Sequence, residues 1–61
     1  MSVIKELNRL AEKVTGVNPK AKTDKQALDF IITTLSQQKS NTATYEQALK
    51  KFIDIVFNNG N

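Results

Sequence analysis

The side chains able to do acid–base, nucleophilic or phosphate chemistry in this chain are few, and their spacing is that of helix surfaces. The carboxylates are Glu6, Glu12, Asp24, Asp29, Glu46 and Asp54. Each falls at the start of an expected helix or on its polar side, where capping, dipole and solubility roles account for it. No pair sits in an apolar setting that would tune one carboxyl against the other for acid–base work. Ser2, Ser36 and Ser40 have no histidine to activate them, because the chain contains neither His nor Cys, and lysine would have to serve as base. The same absence removes thiolate and imidazole metal sites. Two glycines are too few for a phosphate-cradling loop. The expectation is a protein that is not an enzyme and uses no cofactor and no metal.

The basic residues offer a second kind of chemistry. Lys5, Arg9 and Lys13 stand at i, i+4 and i+8, and Lys20, Lys22 and Lys25 follow. Together these six could track phosphates, with the amide-rich start of the second helix adding a weak anion site. Glu6–Arg9 and Arg9–Glu12 are i, i+3 pairs that partly neutralise the row. No aromatic residue is interleaved for base stacking. Both connections between helices also read as longer than the 3–4-residue turn of a helix-turn-helix. Nucleic-acid binding through these six residues is therefore the alternative function. A membrane surface is disfavoured, since the first helix has no Trp or Phe on its stripe and a polar side of mixed sign.

Size and composition bound the rest. Sixty-one residues make a single domain, 1–61, with nine Lys or Arg against six Asp or Glu and a net charge of +3. That charge suits solubility and permits an anionic partner without requiring one. No stretch approaches the roughly 18 apolar residues of a membrane span. Lys5, Glu6, Asn8 and Arg9 interrupt any signal-peptide core near the start. A small chain without cysteine suits a cytoplasmic or virion-associated setting.

Three helices must carry these residues, at about 3–15, 24–37 and 45–58. In the first, Val3, Ile4, Leu7, Leu10, Ala11 and Val14 fall within an arc of about 120°. Ser2 is placed as its N-cap and Gly16 as its left-handed terminator, with Pro19 beyond. Val17–Lys22 forms a loop. The hexad Thr23-Asp24-Lys25-Gln26-Ala27-Leu28 is echoed by Thr44-Tyr45-Glu46-Gln47-Ala48-Leu49. Each copy reads as a capping box, the Thr hydroxyl accepting from the Gln amide and the Gln side chain returning to the Thr amide. Thr23 thus opens the second helix and Thr44 the third, with a polar connection over Gln37–Ala43. Ile31-Ile32-Thr33-Thr34 is β-branched and costs the second helix some propensity. Asn58-Asn59-Gly60 supplies the last stop signal. The expected fold is an all-α three-helix bundle. Its expected core is Leu7, Leu10, Val14, Leu28, Ile31, Leu35, Leu49, Phe52, Ile53 and Val56.

Helices two and three carry more apolar surface than one buried face needs. Phe30 and Ile32 widen the arc of the second helix to about 200°, and Ile55 and Phe57 do the same for the third. A core this small rarely supplies more than about 3–5 kcal/mol on its own. The surplus therefore reads as an interface built from Phe30, Ile32, Ile55 and Phe57, most simply in a homodimer, otherwise with another protein.

Residues Ile4–Gly16, then Pro19–Thr23 and Gln26–Ile31, carry the pattern L-N-x-L-A-x-x-x-T-G, a basic loop, and T-x-x-x-A-L-D-x-I. This half of the chain resembles short helical segments of small phage and prophage proteins of Gram-positive bacteria. The resemblance implies a virion-associated or accessory assembly protein acting through protein contacts, with no catalytic residues to carry over. The third helix has no counterpart in it. The leading expectation is a non-enzymatic interaction or assembly module, homo-oligomeric and phage-derived.

Overall fold

The computed structural model describes residues 3–59. Helix α1 spans Val3–Thr15, α2 spans Asp24–Gln37 and α3 spans Thr42–Asn59, with no strand among the described residues. The all-α three-helix bundle is as expected, and the first two helices keep their expected bounds. The Ser2 cap and the Gly60 stop lie outside the described residues.

Helix α1 ends where the residue after Thr15 turns left-handed. Gly16 has φ +86° and its amide donates to the Glu12 carbonyl at 2.8 Å. Thr15 seals this end: its buried hydroxyl donates to the Ala11 carbonyl at 2.6 Å and accepts from the Val17 amide at 3.2 Å. A methyl group at residue 16 would meet nothing within 4 Å, so only the backbone angle resists it. Gly16→Ala is therefore expected to cost about 1–2 kcal/mol, the penalty of a left-handed L-residue. A thermal melt checks this, and an unchanged midpoint would mean that the chain ends α1 in some other way.

The start of α2 follows the capping box in one half only. Thr23 is the N-cap and its hydroxyl accepts from the Gln26 amide at 3.2 Å. The Gln26 side chain, however, accepts from the Lys22 amide at 3.0 Å rather than from that of Thr23. The second hexad departs further. Helix α3 begins at Thr42, ahead of the expected residue 45, because Asn41 caps it. The Asn41 carboxamide oxygen accepts from both the amide and the hydroxyl of Thr44, at 2.8 and 2.9 Å. Asn is among the strongest N-caps, so it takes the role ahead of Thr44, which becomes a residue of the first turn. One hexad thus has two different local uses. The connection shrinks to Gln38–Asn41, four residues and within helix-turn-helix length, contrary to the longer link expected. Lys39, at φ +55°, makes the reversal, and the Ser40 amide donates to the Leu35 carbonyl at 3.0 Å.

Two polar links set the packing order. Asn8 of α1 holds Ala21 of the loop through both backbone groups: its amide donates to the Ala21 carbonyl at 3.0 Å, and the Ala21 amide donates to its oxygen at 2.8 Å. The Gln38 side chain donates to the Thr15 carbonyl at 3.1 Å. The loop therefore doubles back along α1, and α2 then runs in the same sense as α1. Helix α3 returns antiparallel to both. Helix α1 packs on α2 and α3 more extensively than these two pack on each other.

The buried apolar core is Leu7, Leu10, Ala11, Ala27, Ile31, Leu35, Ala48 and Phe52. Val14, Leu28 and Val56, expected in it, are half-buried and pack against it, and Leu49, also expected in it, is half-buried. Ile53, also expected in it, is 52% exposed. The correction has a geometric cause. The buried line of α3 runs through Ala48 and Phe52, and Ile53 stands 100° further round the helix. Alanine is small enough to fit at close helix approaches, so Ala27 and Ala48 are buried ahead of their neighbours Leu28 and Leu49, and Ala11 of the expected α1 stripe is buried with them.

Candidate interaction surfaces

Two surfaces emerge from this packing. The first is the outer seam between α2 and α3. Ser36 Oγ and Tyr45 Oη lie 2.6 Å apart and join the two helices beside their connecting turn. One turn back along α2 stands Ile32, and two turns back Leu28. Along α3 from Tyr45, steps of four residues reach Leu49, Ile53 and Phe57, which share one side of the helix. With the helices antiparallel from the Ser36–Tyr45 contact, Ile32 lies level with Leu49 and Leu28 with Ile53, while Phe57 lies a turn further along α3. Ile32 is 39% exposed, Ile53 52% and Phe57 70%.

The four residues singled out from the sequence do not come together. Residues two apart on a helix point about 200° apart, so Phe30 cannot share a flank with Ile32, nor Ile55 with Phe57. Phe30 and Ile55 are half-buried and pack against the core, whereas Ile32 and Phe57 reach solvent. Ile53 is the member the sequence reading missed. Its i, i+4 relation to Phe57 was the available signal, obscured by assigning Ile53 to the core.

The second surface is basic. Lys5, Arg9, Lys13, Lys20, Lys22 and Lys25 are all exposed. The first three line the outer side of α1, away from Leu7 and Ala11. Lys20 and Lys22 flank Ala21, so the Asn8 link sets their backbone beside α1. An open groove of about 590 Å³ between α1 and α3 is lined by Glu6, Arg9, Leu10, Glu12, Lys13, Lys51 and Ile55. Lys51 thus joins Arg9 and Lys13, a neighbour that linear spacing could not reveal.

Among the described residues, every buried side-chain nitrogen or oxygen has a hydrogen-bond partner. No group of three or more His, Cys, Asp or Glu among them is placed to hold a metal ion. No described helix is long and apolar enough to cross a membrane. The chain matches no protein-family model, no curated protein and no solved structure.

Proposed function

We infer that the protein is a non-enzymatic assembly module that pairs with a second copy of itself through the α2/α3 seam. The observation that carries this reading is the exposure of Ile53 and Phe57, one turn apart on α3, together with that of Ile32 on α2. A two-fold interface uses the same patch twice. Burying a large apolar side chain yields about 1.5–3 kcal/mol. Association costs an estimated 4–15 kcal/mol in lost freedom. Only the exposed parts of Ile32, Ile53 and Phe57 remain to be buried, so the six side chains of a pair yield about 5–10 kcal/mol, comparable to that cost. The expected dimer therefore dissociates on dilution. A core of eight buried apolar residues among those described, three of them alanines, gives assembly a stabilising role as well. The resemblance of the first half of the chain to small phage and prophage proteins supports placing that role in a virion or its assembly.

Light scattering across a dilution series tests the reading: a dimer at high concentration that falls to monomer supports it, and a monomer throughout rejects it. Phe57→Glu is expected to abolish the dimer while leaving helicity intact, because most of this side chain is already in water. If the variant unfolds instead, Phe57 belongs to the core and not to an interface.

A further inference from the structure

We propose that the outer side of α1, extended by Lys51 from α3 and by Lys20 and Lys22 from the loop, binds the phosphate backbone of double-stranded nucleic acid without reading its sequence. The charge of the chain is segregated. Lys5, Arg9, Lys13, Lys20, Lys22 and Lys25 face only Glu6, Glu12 and Asp24, which places the whole net charge of +3 in the first 25 residues. Beyond them Lys39, Lys50 and Lys51 balance Asp29, Glu46 and Asp54. Folding then adds Lys51 to the groove lined by Arg9 and Lys13, where the three cations outnumber the carboxylates of Glu6 and Glu12.

The acids of that region are engaged within the chain. Asp24 accepts from the Lys25 amide at 2.7 Å, and Glu12 accepts from the Asn18 side chain at 3.4 Å. Glu6 is half-buried. Lys5, Arg9 and Lys13 repeat every four residues, about 6 Å along the helix, which lets successive cations meet successive phosphates.

The same face argues against other anionic partners. The three Phe and one Tyr of the chain lie in α2 and α3, so α1 and the loop offer no aromatic side chain on which unpaired bases could stack. Asn8, the carboxamide of α1, is committed to Ala21 and cannot read base edges. The contacts left are phosphate contacts, which position a protein without specifying sequence. The apolar stripe of α1 is spent in the core and cannot insert into a membrane. Because this face lies opposite the α2/α3 seam, the proposal holds whether or not the chain pairs with itself.

The test is fluorescence anisotropy with a short mixed-sequence DNA duplex over a range of salt concentrations, using the full chain. Affinity is expected to fall steeply with salt, log K against log salt having a slope of about −0.9 per phosphate neutralised. Lys51→Gln and Lys13→Gln are each expected to weaken binding several-fold and to lower the slope by about one contact. Lys50→Gln, the same charge change one residue away but outside the groove, is expected to leave both unchanged. Circular dichroism of each variant confirms folding, and the conservative Lys51→Arg should restore binding. The proposal is overturned by no binding at low salt, by equal effects of Lys50→Gln and Lys51→Gln, or by tighter binding to polyglutamate or anionic lipid vesicles than to duplex.

Discussion

Leu7→Ala is expected to lower the melting temperature by on the order of 12–24 °C. The side chain is fully buried and belongs to the helix that packs on both others. Removing it forfeits the transfer free energy of the lost carbons and leaves a cavity that a three-helix core closes only in part. Such substitutions cost about 2–5 kcal/mol. At about 3 kcal/mol, and 4–8 °C per kcal/mol for a domain of this size, the shift follows. A domain this size holds roughly 0.05–0.15 kcal/mol per residue, so the variant retains little stability at room temperature. Ile53→Ala is the control. Measured where the protein is monomeric, it should cost under about 1 kcal/mol, because half of the side chain is exposed. Comparable losses at the two positions would show that α3 is turned with Ile53 inward, as the apolar pattern alone suggests.

Asn8→Leu keeps the branched outline of the side chain, with bulkier methyl groups at its end, and improves helix propensity, yet it should destabilise the fold by about 2 kcal/mol. Asn8 is 8% exposed and makes two hydrogen bonds to the backbone of Ala21. Leucine removes both and leaves an amide and a carbonyl without partners. An unsatisfied buried group costs about 1–3 kcal/mol, and the half-buried position of Ala21 allows water to recover part of the sum. The local signature is sharper than the global one. The Ala21 amide should exchange hydrogen much faster in the variant, while amides in the middle of α2 should change only as far as global stability falls. Asn8→Asp separates the two bonds. The carboxylate still accepts from the Ala21 amide but faces the Ala21 carbonyl, so it should lose the donor bond and add repulsion. Unaltered protection of Ala21 in both variants would mean that the loop is held by packing around Pro19 and not by this side chain.

Three helices, their number and most of their ends were legible in the sequence, because local physics sets them. Apolar spacing near 3.6 defines α1, a glycine must follow Thr15 where the backbone turns left-handed, and Thr23 offers a hydroxyl three residues before Gln26. The repeated hexad shows the limit of local reading. Thr23 caps because nothing stronger precedes it, whereas Asn41 reaches the free amides of α3 first and pulls its start back to Thr42. The basic side of α1 was legible too, since its lysines and arginine stand one turn apart on a single helix.

What the sequence determined by itself is therefore the all-α class, the helix ends governed by caps and glycine, and the lack of histidine and cysteine. Tertiary structure decided which of the surplus apolar residues face water. Periodicity gives the angle between side chains on one helix but not the rotation of that helix against its neighbours. Burial of Ala48 and Phe52 fixes this rotation for α3, turning Ile53 and Phe57 outward and Ile55 inward. The same rotation carries Lys51 to Arg9 and Lys13, and the Asn8 link brings Lys20 and Lys22 to the side of α1. These groups lie far apart in the chain, and only the packing of α1 against its two partners brings them together.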